Sequence, residues 1–205
     1  MRYLAGMTLC LALLAAGASW AGQQQGIEAY NKKDYATAFK EFRPLAQAGD
    51  AQAQMLMGLM YDNGLGTARN ATEAFHWYKQ AADQGVARAQ FNVGQLYEAG
   101  DGVARDDAEA LRWFAKAADN GFAEAQYRYG LALSEDRLLP RDNVAAYQWL
   151  DLAANQPVRG AEQAAIARDQ LSRRMTAEQI VQAKDIAKQW LKIHKARTEG
   201  RKIEI

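Results

Sequence analysis

Residues 51–85 read AQAQMLMGLMYDNGLGTARNATEAFHWYKQAADQG, and residues 87–121 read ARAQFNVGQLYEAGDGVARDDAEALRWFAKAADNG. A step of 36 positions superimposes them with 16 of 35 residues identical. The same step carries Trp77 to Trp113 to Trp149, Gly58 to Gly94 to Gly130, and Ala51 to Ala87 to Ala123. A period of this length marks a chain whose units each bury an apolar face only against their neighbours. Three units follow from it, 51–86, 87–122 and 123–158.

Each unit divides into two helices. In the first helix Ala51, Ala53, Met57, Gly58 and Tyr61 recur at 87, 89, 93, 94 and 97, with the three- and four-residue spacing of one helical face. The run Asp62-Asn63-Gly64-Leu65-Gly66 stops it, because glycine past a helix end adopts the left-handed conformation without steric cost. Asn70, Asp106 and Asp142 are then N-caps for the second helix, and Glu73 and Glu109, three positions on, predict a capping box in two units. The apolar face of that helix is Ala74, Trp77, Ala81 and Ala82, repeated at 110, 113, 117 and 118 and again at 146, 149, 153 and 154. Gly85 and Gly121 close it, and Pro157 stands there in the third unit. Mid-helix glycine costs about 1 kcal/mol against alanine, so Gly58, Gly94 and Gly130 predict the close approach of a partner helix. Trp77, Trp113 and Trp149 are expected to be the wedges between neighbouring units.

The order A-x-A, L-G-x-x-Y, G-x-G, A-x-x-W and A-A-x-x-G resembles the Sel1-like repeat, a relative of the tetratricopeptide repeat. Met57 and Val93 stand in for leucine. Unit 123–158 departs in its loop, where Asp136 and Leu138 replace both glycines and Leu133 replaces the tyrosine. The resemblance implies an all-α, right-handed α-solenoid of Sel1-like, tetratricopeptide-like helix pairs. Residues 22–50 read as an N-terminal tetratricopeptide-like hairpin, with a turn at Lys33-Asp34 and Asp34 as N-cap. Residues 159–195 read as C-terminal capping helices. One covers Ala161 to Arg173 with Ala165, Ile166 and Leu171 apolar. Thr176 with Gln179 opens the last, through Ile180, Ala183, Ile186, Trp190 and Leu191. Residues 196–205 read as a frayed polar tail.

Residues 1–21 have the pattern of a secretory signal peptide: Arg2, an apolar stretch from Leu4 to Ala16, then Ser19-Trp20-Ala21 with cleavage before Gly22. The apolar run is short of the ~20 residues a spanning helix needs, and an uncleaved anchor would be the only membrane attachment. Removing the segment takes away Arg2 and Cys10, the one cysteine. The 25 basic residues become 24 against 24 acidic ones. That balance gives no electrostatic case for nucleic acid. A cysteine-free exported chain relies on no disulfide. The expected location is the bacterial periplasm or beyond the cell.

The sequence offers little chemistry. His76 and His194 lie 118 positions apart, and a zinc site needs three or four ligands, so neither a metal nor another cofactor is expected. His76 is expected to face outward, and His194 to lie as a cation near a helix C-terminus. Asp101, Asp106, Asp107 and Glu109 lack the calcium-loop order, and capping accounts for two of them. Asn70-Ala71-Thr72 matches a glycosylation sequon but is better read as a cap. Ser134 and Ser172, the serines left after cleavage, open no S-x-x-K and sit in no G-x-S-x-G. Some cysteine-rich members of the resembled family are associated with penicillin binding or β-lactamase activity, and that association lacks its motif here. Residues 184–202 carry seven basic side chains against Asp185 and Glu199, with Lys184, Lys188 and Lys192 on one face. The face suits solvent, anionic lipid or an acidic partner.

The chain therefore reads as a scaffold for a protein or peptide partner, not an enzyme, with no small-molecule substrate evident. Its alternative is a cell-envelope enzyme of β-lactamase-like or peptidoglycan-acting type. If the resemblance to tetratricopeptide repeats extends to the concave face, the groove positions are Gln52, Met55, Leu59 and Asp62; then Arg88, Phe91, Gln95 and Glu98; then Glu124, Tyr127, Leu131 and Ser134. Met55, Phe91 and Tyr127 form either an apolar stripe for a partner or interdigitating packing. Truncating Trp113 to alanine is expected to cost about 3–5 kcal/mol, measured by urea denaturation.

Overall fold

The computed structural model describes residues 22–200 apart from 136, 137 and 159. The signal segment 1–21, Asp136 of the third loop and positions 201–205 of the tail lie outside the described residues. The described residues are helical throughout: α1 (22–31), α2 (Tyr35–Gln47), α3 (Ala51–Asn63), α4 (Ala71–Asp83), α5 (Ala87–Ala99), α6 (Asp107–Asp119), α7 (Ala123–Ser134), α8 (Asn143–Ala154), α9 (Ala161–Ser172) and α10 (Ala177–Gly200). Helices adjacent in sequence pack together in pairs, the arrangement of an α-solenoid, and α10 returns to pack on α8.

Two compact units result. The first runs to Ala89 and includes Asp101–Val103; the second comprises Gln90–Gly100 and the chain from Ala104. The core of the first gathers Phe42, Met57 and Met60 with alanines 29, 38, 46 and 53. The second has one cluster on Phe91 and Phe114 and another on Leu133, Tyr147, Leu150, Leu171 and Ala183.

The three mid-helix glycines mark close approaches, and the groups that approach are the residues after the tryptophans. A Cβ on Gly58 would fall well inside contact distance of the Tyr78 ring, and one on Gly94 would lie 2.6 Å from the Phe114 ring. On Gly130 the nearest atom is Leu150 Cγ at 3.0 Å. Tyr78, Phe114 and Leu150 are 1%, 2% and 0% exposed, so these side chains are the wedges. Trp113 is also buried, but Trp77 and Trp149 are only half-buried on the edges of their clusters. These wedges act between the two helices of one repeat and vary from Tyr to Phe to Leu, whereas the tryptophans, expected between neighbouring units, pack at the cluster edges, Trp77 on the Phe42 and Met57 cluster and Trp149 on both clusters of the second unit.

Caps follow the sequence in part. The side chains of Asn70, Asp106 and Asp142 accept from the backbone N–H of Glu73, Glu109 and Ala145 at 3.1, 2.9 and 2.9 Å. The capping boxes predicted at Glu73 and Glu109 do not close. Each N-cap N–H donates instead to the end of the preceding helix: Asn70 to the Tyr61 carbonyl (2.9 Å), Asp106 to Tyr97 (3.0 Å) and Asp142 to Leu133 (3.0 Å). The third loop thus keeps its closure without either glycine. The reciprocal box does form at Thr176 and Gln179, with bonds of 3.0 and 3.3 Å. Asp34 caps α2 by accepting from Thr37 N–H at 3.2 Å.

The C-terminal end differs from expectation in two ways. The helix α10 continues to Gly200, five residues beyond the predicted end at 195, with Lys195 and Glu199 paired one turn apart at 3.8 Å. On α9 the buried residues are Ala164 and Leu171, and Ile166 is 51% exposed; Leu191 of α10 is likewise 52% exposed.

Alanine at a helical glycine gains about 1 kcal/mol of propensity, whereas overpacking a filled site costs about 1–3 kcal/mol. Gly58→Ala and Gly94→Ala are therefore expected to destabilise most, while Gly130→Ala, whose Cβ would meet Leu150 at 3.0 Å and the Ala146 carbonyl at 3.2 Å, should cost least. Urea unfolding of the three variants checks the order.

Candidate partner-binding site

The predicted groove positions fall into both units. In the first, Gln52 and Arg88 are exposed and Met55 and Leu59 half-buried. Asp62 lies beside Arg69 and Asp101; burial pushes its carboxyl above the ordinary range while Arg69 opposes the shift. In the second, Gln95 and Glu124 are exposed, Tyr127 and Leu131 half-buried, and Phe91 buried. Phe91 lies 5.4 Å from the Phe114 ring and 5.0 Å from the Phe122 ring, centroid to centroid. At this position interdigitating packing is what the fold contains, and the ring belongs to the core.

Tyr127 and Leu131 are one turn apart on α7, and both line an open cleft of about 390 Å³ against α6. Leu111 and Phe114 form the opposite wall, and Ala132 and Leu138 complete its apolar lining. Charged side chains stand around this floor in pairs. Arg105 is held bidentately by Asp107, Nε to Oδ1 and Nη2 to Oδ2, both 2.9 Å. That hydrogen-bonded carboxylate raises the pKa of the guanidinium above its ordinary value. Arg128 Nη1 donates to Glu98 at 2.6 Å, and its guanidinium lies 5.6 Å from the centre of the Phe114 ring. These side chains are a third or more exposed. Ion pairs so placed add little stability but leave their donors and acceptors within reach of a partner.

The cleft is positioned by buried polar contacts that sequence reading missed. Gln126 is fully buried; its Nε2 donates to the Ala118 carbonyl at the end of α6 (3.2 Å), and its Oε1 accepts from Gln156 (2.8 Å). This ties the start of α7 to the end of α6. The same clasp joins Gln54 to the Ala46 carbonyl (3.1 Å) and to Gln84 (2.7 Å), and Gln90 to Asn120 (2.9 Å). A signal was present: Gln54, Gln90 and Gln126 are identical at the 36-residue step. A buried amide with both ends bonded is expensive to disrupt, since its partners then lose theirs.

Other candidate residues have local duties. Asp101 pairs with Arg69, Asp106 caps α6 and Glu109 pairs with Arg112. No three His, Cys, Asp or Glu side chains converge as a metal-binding group among the described residues. His76 is exposed beside Gln80 at 2.8 Å. His194 stacks on Trp190 with centroids 4.5 Å apart and lies against Gly121, just past the C-terminus of α6. Lys184, Lys188 and Lys192 are all exposed. No described helix is long and apolar enough to cross a membrane.

The profile of the Sel1 repeat matches residues 51–86, 87–122 and 123–158, more than half of the chain. The chain belongs to the Sel1 repeat family. Among solved structures it is similar to the crystal structure of a Sel1 repeat protein from Oxalobacter formigenes, with 36% identity over 70% of this chain and 58% of that one, at a TM-score of 0.65. It is also similar in fold to a protective antigen present in uropathogenic Escherichia coli strains, described as displaying an SLR fold. There the identity is 24%, the coverage 82% of this chain and 44% of that one, and the TM-score 0.56. This Sel1 repeat chain thus spans about half the length of both. No curated protein matches it. Sel1 repeat proteins are generally non-catalytic scaffolds that bind proteins.

Two aspartate substitutions separate core from surface in this Sel1 repeat chain. Phe91→Asp buries an unpartnered carboxylate and is expected to abolish cooperative unfolding, whereas Leu131→Asp, on the cleft wall, should keep helical content and a sharp thermal transition. Circular dichroism during heating reads both.

Proposed function

We propose that this Sel1 repeat chain is an exported scaffold that holds a protein or peptide partner in the cleft between α6 and α7. It would serve as an adaptor or regulator in the bacterial cell envelope, or as a secreted factor that contacts host proteins. The single observation that carries the reading is the cleft itself: an apolar floor of Leu111, Phe114, Tyr127 and Leu131, open to solvent and edged by accessible ion pairs. Apolar centres with polar rims are the composition of protein-recognition surfaces. Export rests on the pattern of residues 1–21.

The enzyme alternative receives less support. The hydroxyls of Ser134 and Ser172 donate to the carbonyls of Leu131 and Asp169 at 2.8 and 2.7 Å, bonds made within their own helical turns. Purified mature protein is expected to leave nitrocefin and peptidoglycan unchanged, and turnover of either would favour the enzyme reading.

Two measurements test the proposal. Cell fractionation with N-terminal sequencing should find a chain beginning at Gly22 outside the cytoplasm. A photo-reactive phenylalanine analogue at position 131 should crosslink a partner in cells, while the same analogue at exposed position 76 should not. Cytoplasmic retention would defeat the export reading, and equal crosslinking at both positions would defeat the cleft.

A further inference from the structure

Around the cleft Leu111 of the second repeat and Ala132 of the third are shorter than the residues one step earlier, and the third loop lacks a contact that the two loops before it make. At the 36-residue step, positions 39, 75 and 111 are Phe, Phe and Leu, and positions 60, 96 and 132 are Met, Leu and Ala. Phe39 packs on the core of the first unit and makes an edge contact with Tyr61 at 5.3 Å. Met60 and Leu96 are 0% and 6% exposed. Leu111 and Ala132, their shorter counterparts, are half-buried and line the cleft.

The loops change at the same place. Gly66 and Gly102 have φ of +72° and +73°, and their backbones press on the carbonyls of Tyr35 and Ala71, the first residues of α2 and α4. A Cβ at either glycine would meet that carbonyl well inside contact distance. The next position in the series is Leu138, which has a side chain and cannot make the contact. Leu138 is 56% exposed, and the cleft opens between it and Asp107, the first residue of α6. Three independent positions are therefore reduced or displaced around one space, while the glutamine clasp and the N-cap closure around it are kept.

We infer that this cleft receives a single large apolar side chain, phenylalanine or leucine, carried on an extended and uncharged segment of a partner peptide. This rests on the scaffold reading and names its ligand. The missing groups are a ring and a branched aliphatic chain, so the space has the shape of what was removed. The rim selects the flanking chemistry. Arg105 and Arg128 are each matched by a carboxylate, Asp107 and Glu98, and a charge-balanced mouth complements an uncharged backbone. A guanidinium has five N–H donors. Arg128 uses one on Glu98 and Arg105 two on Asp107, which leaves donors for peptide carbonyls.

The test uses the mature chain, ¹⁵N-labelled, and two capped pentapeptides, Gly-Ser-Phe-Ser-Gly and Gly-Ser-Asp-Ser-Gly. The phenylalanine peptide should shift the amide signals of residues 111, 127, 131 and 138 in a saturable way, and the aspartate peptide should not. Filling the space with Leu111→Phe and Ala132→Leu together should raise the unfolding midpoint by about 2–4 °C and weaken the phenylalanine peptide at least tenfold. If that variant does not fold, Leu131→Asp should show the same loss of binding in a folded chain. Equal shifts from both peptides, shifts outside the cleft, or a filled variant that is less stable and binds as before would each overturn the inference. Crosslinking at position 131 in cells together with equal shifts from the two peptides would overturn it and leave the scaffold reading standing. Failure of both experiments would remove both.

Discussion

Everything in this chain depends on how closely two helices of one repeat can approach. The glycines at 58, 94 and 130 remove the Cβ that would hold the second helix away, and Tyr78, Phe114 and Leu150 occupy the space. The helix gives up about 1 kcal/mol of propensity at each glycine. It recovers more by burying a whole side chain, which contributes roughly 1.5–3 kcal/mol. Alanines at 74, 81 and 82 and their counterparts continue the same face, small enough to let backbones approach.

Close approach alone would leave helix ends unsatisfied, since each helix has four orphan donors and four orphan acceptors. The chain resolves this by joining ends. An N-cap side chain serves its own first turn while its backbone N–H returns to the last turn of the helix before. The glutamine clasp does the equivalent at the other junction, reaching from the start of one hairpin to a carbonyl at the end of the previous one. Fold and register are held by these bonds, which frees the side chains between the junctions to vary. That division explains why the third loop could lose both glycines and still close from Asp142 to Leu133.

Period, helix pairs, loops and N-caps were legible because each repeats with the same residue or chemical type. The residue that fills the space between the two helices of one repeat carried no signal, because its identity changes among Tyr, Phe and Leu. The capping boxes at Glu73 and Glu109 were overread: a glutamate three residues past a cap has the right chemistry, but the N–H it would accept from was already committed to the preceding helix. For α10, a polar composition suggested fraying, whereas paired charges such as Lys195 with Glu199 support the helix to Gly200. The groove was half legible. Tyr127 and Leu131 were placed on it by analogy, Phe91 was not separable from core by its type, and Arg128 carried no signal because its counterparts are Leu56 and Asn92.

The cleft combines an intact frame with an underfilled interior, and those two facts pull in opposite directions. Random loss of packing in a repeat would be expected to reach the clasp and the caps as well as the filling. Here Gln126 and Asp142 keep the bonds of the other repeats, while Leu111, Ala132 and Leu138 around one space are shortened or displaced. An unfilled apolar space costs stability roughly in proportion to its volume. Local departures from good packing that stand inside otherwise consistent surroundings are the expected mark of a functional site. A side chain from another molecule would restore the contacts that the chain itself no longer makes, and binding would then draw its free energy from a deficit already built into the fold.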